Sequence, residues 1–358
     1  MINILINGIG GPTPRSISKS LLHYGRYKKY NLFGTDINKY SRDMYDTSLY
    51  KETFLIPPAN SHEYWPAIKK IISENNIDFA LVQPEIEVLQ WAEKAREGSL
   101  PCQAMIPEYK LLKTLYDKSV MTNMLKDYNM VPKSIVLDSD LNNLSDIEDS
   151  IGYPFWIRSA TGSSGLGSLK IQNKQALINW ISINSEIEKF MASEFLPGRN
   201  LACKLLYFNN KIVRAACGER VKYIMSKIVP SGITGNTSFG RLINDEDVFK
   251  VSNEAMDVIS KELNVEKHGF FTVDLKEDRE GNPKITEINF RHVAFSLCFT
   301  MGGINFAEES IRLMDKDEQY DFDFRLHQFE KEFVFLRDVD ATPIVIEEQK
   351  LLNGNNIE

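Results

Sequence analysis

The chain is short of the residues that build metal clusters, nucleophilic centres and membrane anchors. Its four cysteines (Cys102, Cys203, Cys217, Cys298) are scattered through 358 residues with no CxxC pair. That excludes a zinc ribbon or a dithiol redox motif and reads as reduced thiols of a cytoplasmic protein. The five histidines include no i, i+4 pair, so a helical zinc site is excluded as well. No run approaches the ~20 apolar residues that span a bilayer. The opening MINILINGIGG lacks the basic segment and cleavage site of a secretory signal. Positive charge is in deficit, 42 Lys and Arg against 49 Asp and Glu for a net −7, which argues against nonspecific nucleic-acid or anionic-membrane partners. There is no Ser/His/Asp or Cys/His arrangement, and neither glycine-rich phosphate motif is complete. Gly8 and Gly10 are followed by Pro12 and Thr13 rather than a third glycine, and no GxxxxGK[ST] occurs.

What remains is an ordinary globular composition, 43% hydrophobic and 25% charged, in a length that suits two or three domains. Residues 1–100 alternate short apolar strands (2–7, 30–35, 79–82) with helical patterns, the signature of a parallel sheet covered on both faces. Gly8-Ile9-Gly10-Gly11 reads as a tight strand-to-helix turn. With Asp36 at the end of the second strand it is also a partial dinucleotide site, the weaker option. Beyond residue 108 the texture changes to mixed α/β with much antiparallel sheet. Helical patterns are expected at 108–135, 175–190 and 246–263. A hairpin turns at Asn209-Asn210, and a second, 269–275 with 284–288, turns near Gly281.

Three segments carry chemistry. In Thr286-Glu287-Ile288-Asn289-Phe290-Arg291, strand alternation puts Glu287, Asn289 and Arg291 on one face, and the hairpin brings Asp274 to the same place. Two carboxylates and an amide oxygen suit magnesium between protein and phosphates, with Arg291 beside them for developing charge. An exposed hairpin with ordinary polar residues is the alternative. The segment from Phe155 to Gly167 (FWIRSATGSSGLG) delivers Arg158 from a strand and then a loop of glycine and small hydroxyls. Such a loop either approaches a polyphosphate or is a plain hairpin tip. Ser193-Glu194-Phe195-Leu196-Pro197-Gly198 is either a hinge that reads adenine or a simple strand end.

A cation near 118, a cation and glycine loop at 158–167, a hinge at 194–196 and an Asp…Glu-x-Asn set at 274–289 follow one another. In this order the chain resembles the ATP-grasp superfamily, in particular the branch of the carbamoyl-phosphate synthetase large subunit and carboxylate–amine ligases, over about residues 1–310. The resemblance implies a Rossmann-like pre-ATP-grasp domain (1–105), a two-lobed α+β ATP-grasp domain (106–315) with ATP between its lobes, and an extension (316–358). It gives Lys118 and Arg158 to the nucleotide phosphates, Ser163, Ser164 and Gly165 to the covering loop, and Glu194, Phe195 and Leu196 to adenine. Asn200 stands where many relatives carry a ribose-binding glutamate. Asp274, Glu287 and Asn289 would hold one or two Mg2+ (or Mn2+) ions, and Arg291 with Arg158 would stabilise the acyl phosphate. Residues 231–236, with Gly232, Thr234, Gly235 and Asn236, resemble a mobile loop beside the reacting phosphate. Phe290 and His292 depart from the usual pattern, and His292 is either an acid–base group or a packed histidine.

The activity implied is ATP-dependent joining of a small carboxylate to an amine, with bicarbonate activation or non-catalytic ATP binding as alternatives. Arg220, Lys222, Tyr223 and Lys227 either hold a second carboxylate or form a solvated strand. A homodimer is a further expectation.

Overall fold

The computed structural model describes residues 1–138, 141–162 and 165–339. The first sheet holds β1 (Ile2–Asn7), β2 (Tyr30–Asp36), β3 (Glu52–Leu55), β4 (Phe79–Leu81) and β5 (Gln103–Ala104), all parallel in the order β3-β2-β1-β4-β5. Helices cover both faces, which is why β1 is buried at five of its six positions rather than at alternate ones. The strand order reverses between β1 and β4, so a crevice lies at their C-terminal ends. Gly8 turns the chain there at φ +66°, and a Cβ would sit 2.4 Å from the Pro84 ring. Asp36 takes the Gly10 N–H at 2.7 Å and the Asn38 N–H at 2.8 Å. The glycine segment is therefore a tight turn tied to its own domain.

The rest of the chain forms two further sheets. The smaller is antiparallel, β6 (Ser134–Val136), β7 (Phe155–Ser159), β8 (Leu169–Ile171) and β9 (Phe190–Glu194), in the order β6-β9-β7-β8. Phe155, Ile157, Ile171, Leu177 and Phe190 make its own core. The larger runs β14-β13-β10-β11-β12-β16, from β10 (Asn200–Phe208), β11 (Lys211–Tyr223), β12 (Thr237–Ile243), β13 (Gly269–Glu277), β14 (Pro283–Asn289), β15 (Arg325–Leu326) and β16 (Phe333–Leu336), with β15 on β11. Asn209 and Asn210 turn β10 into β11 with φ of 48° and 66°, a conformation asparagine tolerates. The helix Glu246–Leu263 starts where Asp245 accepts the Val248 N–H, and it packs its apolar stripe on this sheet.

Mixed parallel and antiparallel α/β architecture was the expectation, and the fold has it. Several boundaries differ. The helical pattern over 108–135 divides into Tyr109–Tyr116 and Lys118–Leu125, because Asp117 is extended and caps the second helix through the N–H groups of Ser119 and Val120. The helix expected at 175–190 spans Lys174–Ile183. Strands β15 and β16 join the large sheet, so the part of the 316–358 extension that is described continues the main body; residues 340–358 lie outside the described residues.

In the first domain Glu87 is 5% exposed and accepts hydrogen bonds from Asn7 Nδ2 and Tyr64 Oη, each at 2.5 Å. Burial pushes its carboxyl up to about 7, helped by the Asp36 charge and opposed by the two hydrogen bonds. Between the ordinary value of 4.5 and about 7 the folded chain keeps a proton that the unfolded chain has released. Stability is therefore full below the lower value and falls as pH rises to the upper, by about 3 kcal/mol. Glu87→Gln should remove that fall and raise the melting temperature above pH 7, read from thermal unfolding between pH 5 and 8. Parallel profiles for wild type and variant would contradict it.

Candidate functional site

The site is built on a β-bulge. Register pairs Asp274 with Glu287 across β13 and β14, and the next pair is Leu275 with Ile285, so Thr286 is an extra residue. The bulge leaves the Thr286 carbonyl outside the ladder, where it accepts Arg158 Nη2 at 2.5 Å. The Thr286 hydroxyl donates back to the Asp274 carbonyl at 3.0 Å. One irregularity thus sets two carboxylates side by side and docks a cation from the smaller sheet beside them. Asn289 completes the group: its Nδ2 donates to Asp274 Oδ2 at 3.0 Å and to Glu287 Oε1 at 3.2 Å.

Cations approach from three other elements. Lys118 opens its helix, hydrogen-bonded through its N–H to the Ala160 carbonyl at 2.8 Å. Its Nζ donates to the Gly162 carbonyl at 2.5 Å and lies 3.6 Å from Glu287 Oε2. Arg158 brings its guanidinium from β7, and its Nε is buried without a partner among the described residues. Arg220, from β11, donates through Nη2 to Asp274 Oδ1 at 2.6 Å.

These groups line one end of a cavity of about 400 Å³ between the two antiparallel sheets. Trp156, Glu194, Phe195 and Leu196 line the other end, where Lys170 Nζ stands 3.9 Å from the Phe195 ring centre. Asn200 also lines it, its Oδ1 taken by Lys276 Nζ at 3.1 Å. The glycine loop meets residues 231–235 over the cavity. Gly165 has φ +76°, and a Cβ there would sit 2.7 Å from the Ile233 carbonyl oxygen, so only glycine allows this approach. Ser163 and Ser164 lie outside the described residues. Gly232 and Gly235 line the cavity, while Thr234 Oγ1 is spent on the Ile224 carbonyl and the Asn236 carbonyl accepts the Ile224 N–H.

Two sequence-derived positions come out differently. Strand β14 ends at Asn289, so alternation does not carry on to Arg291. Arg291 turns to Glu85 of the first domain, Nη2 to Oε1 at 2.9 Å, while remaining near enough for its charge to act on Asp274. Of the four residues at 220–227, Arg220 is buried and Tyr223 half-buried on the cavity, whereas Lys222 and Lys227 are exposed. Arg220 was legible only as a basic residue of a charged strand; its pairing with Asp274 depends on β10 lying between β11 and β13. His292 is packed, 1% exposed, with Nδ1 accepting from buried Lys204 Nζ at 2.6 Å and its ring against Phe270.

Electrostatics set the two carboxylates apart. Burial, then the neighbouring Glu287, pushes the Asp274 carboxyl up to about 7 even though Arg220 pulls it down. Burial also acts to raise Glu287, but Lys118 and Arg158 outweigh it and hold that carboxyl at about 2. Two hard oxygen donors side by side fit a divalent cation of the magnesium type, and the Asn289 side chain, which turns its Nδ2 to them here, could join through its oxygen by turning the amide over.

Solved structures share this fold. N5-carboxyaminoimidazole synthetase from Staphylococcus aureus, complexed with ADP, is 18% identical with a TM-score of 0.61, covering 81% of this chain and 70% of that one. L-amino acid ligase from Bacillus licheniformis is 14% identical with a TM-score of 0.64, covering 91% and 77%. The biotin carboxylase domain of Hydrogenobacter thermophilus 2-oxoglutarate carboxylase, in complex with MgADP and bicarbonate, is 14% identical with a TM-score of 0.62, covering 88% and 70%. This chain shares the fold of these three proteins. No family model and no curated protein matches it.

If the carboxylate pair takes a metal, Glu287→Gln should fold normally and lose the magnesium-dependent part of nucleotide binding. Wild type should gain roughly 2–4 kcal/mol from Mg-ADP at 100–1,000 times Kd, and the variant little more than ADP gives alone. Equal magnesium-dependent shifts in a thermal melt would remove Glu287 from the metal site.

Proposed function

We propose that the chain is an ATP- and magnesium-dependent ligase that activates a carboxylate as an acyl phosphate for attack by an amine. The observation that carries this is the convergence of Lys118, Arg158, Arg220, Asp274 and Glu287 on one cavity that Trp156, Phe195 and Leu196 also line. A nucleotide laid along it puts adenine against Trp156, Phe195 and Leu196 and its phosphates among the cations. Asn200 and Lys276 stand between, where a ribose would lie. We take residues 1–105 as the domain that faces the acceptor side and residues 106–315 as the nucleotide-binding body.

The chemistry asks for positioning and charge rather than a nucleophilic side chain. Lys118 and Arg158 neutralise the nucleotide phosphates and orient the terminal phosphoryl group. Asp274, Glu287 and the Asn289 carbonyl would hold magnesium, which spreads the charge of the transferring phosphoryl. A substrate carboxylate oxygen attacks the terminal phosphorus and the bond to ADP breaks. The amine nitrogen then attacks the acyl carbon, phosphate leaves, and the amine loses a proton. Arg291, whose charge reaches Asp274, stabilises charge on the acyl phosphate in this reading, an electrostatic role worth ~10²–10³ in rate in comparable sites. Residues 231–235 and the glycine loop exclude water from the intermediate.

The test is ADP and phosphate release from Mg-ATP with amino acids, small dicarboxylates and bicarbonate, each with and without amines. Turnover that needs one acid and one amine is the expected result, and Arg291→Ala should slow it roughly 100-fold or more while nucleotide affinity holds. Turnover with bicarbonate alone would favour bicarbonate activation. Nucleotide binding without turnover on any acid would favour a binding module.

A further inference from the structure

Two residues from opposite sides of the join between the first domain and the body each keep a buried polar atom without a partner. Gln83 follows β4 and is 5% exposed. Its Nε2 donates to the Val82 carbonyl at 2.9 Å, while its Oε1 is buried and unpartnered among the described residues. His292, just past the end of β14, has its Nε2 buried and unpartnered in the same way. Both side chains line one cavity of about 20 Å³, with Val88, Met105, Phe270 and Arg291 among its walls. A cavity of that size has room for one water-sized molecule. Bare polar atoms in such a place are costly, so an occupant that satisfies both is favoured.

The hydrogen bonds behind His292 set the polarity of this cavity. Lys204 Nζ lies 2.6 Å from His292 Nδ1 and 2.8 Å from Ser296 Oγ. Ser296 spends its own proton on the Val293 carbonyl at 2.8 Å, so Lys204 is the donor to Ser296 and to Nδ1 alike. Burial keeps the imidazole neutral. A neutral ring whose Nδ1 accepts carries its proton on Nε2. The cavity therefore offers one donor, the Nε2–H, and one acceptor, Gln83 Oε1. Its other walls are apolar except Arg291, which is held by Glu85 at 2.9 Å and by the His292 carbonyl at 3.1 Å. The occupant must accept one hydrogen bond, donate one and be neutral. An ammonium ion has no lone pair for the Nε2–H, is costly to bury against apolar walls and is repelled by Arg291. A carboxylate or phosphate is too large and has nothing to donate to Gln83.

We propose that Gln83 and His292 hold the attacking nitrogen of the amine substrate in its neutral form, as free ammonia or as the amino end of a larger molecule. This rests on the ligase reading, which puts Arg291, a wall of the same cavity, at the acyl phosphate. An attacking amine needs its lone pair, and this cavity selects the form that has one. Water makes the same two hydrogen bonds and fills the space until the amine displaces it. The amine is thus held at the join between the domains, apart from the nucleotide cavity, which neither Gln83 nor His292 lines. Gln83 and His292 are the residues that set which amines are accepted.

The test labels the histidine rings of the full chain with nitrogen-15 and follows them by NMR. Ammonium chloride and methylammonium chloride are titrated separately, with potassium chloride as the control. His292 is one of five histidines, identified by the signal lost in His292→Gln. Its Nε2 resonance should shift saturably with ammonia and not with potassium. Because the neutral form binds, the apparent dissociation constant in total ammonium should fall about tenfold for each pH unit gained below the amine's own pKa. Gln83→Met, similar in volume but without the oxygen, should weaken binding roughly tenfold, the loss of one hydrogen bond. Val88→Ala, which enlarges the cavity, should improve methylamine relative to ammonia, and this carries the test if Gln83→Met does not fold. Ammonia binding without methylamine names free ammonia as the source, and binding of both names the amino end of a larger amine. No saturable shift, an apparent constant that ignores pH, equal affinity in wild type and Gln83→Met, or an unchanged preference in Val88→Ala would leave a resident water only and overturn the proposal. With an acid that supports turnover, Gln83→Met should raise KM for the amine and leave KM for ATP unchanged. Absence of turnover with every acid would instead count against the ligase reading, and the titration would still decide the amine site.

Discussion

Two carboxylates held side by side in a sheet are the constraint around which this molecule is arranged. Asp274 and Glu287 face each other across β13 and β14 because Thr286 bulges out of the ladder. Left alone, the pair would repel and one member would stay protonated. The fold answers with positive charge from elements far apart in sequence: Lys118 at a helix start, Arg158 on the smaller sheet, Arg220 on β11 and Arg291 beyond the end of β14. Each brings its own anchor, and the bulge itself supplies one, since the freed Thr286 carbonyl receives Arg158. Two carboxylates and several cations facing one cavity are the features on which the proposed use of magnesium and nucleotide rests.

The same arrangement explains the division of labour between domains. The two antiparallel sheets close over the apolar and cationic ends of one cavity. The parallel sheet contributes through its C-terminal edge, where Glu85 holds Arg291 and the glycine turn is locked by Asp36 and Pro84. Contacts such as Leu297 with Ser16 and Thr300 with Ser20 bind the first domain to the body.

Much of this was legible in the sequence. The alternation in Glu287-Ile288-Asn289, the Asp274 spacing across a Gly turn and the Arg158 strand followed by glycines pointed to the elements that do meet. What could not be read depended on pairings between distant strands. The bulge at Thr286 has no local signature, the break at Asp117 appears only as one capping residue inside a helical pattern, and β16, which starts at Phe333, joins the sheet far along the chain from its partner β12, which ends at Ile243. Arg291 was assigned by extending an alternation that stops at Asn289. Arg220 looked like any basic residue on a charged strand until β10 was seen between it and Asp274.

The proposed reaction turns on transfer of the terminal phosphoryl group of ATP to a carboxylate. Hydroxylamine captures acyl phosphates as stable hydroxamates, so the decisive measurement is hydroxamate formed from Mg-ATP and the acid that supports turnover, alongside the nucleotide product. ADP and hydroxamate should form in equal amounts, and both should be lost in Glu287→Gln. AMP and pyrophosphate, or ADP with no hydroxamate from any acid, would contradict it.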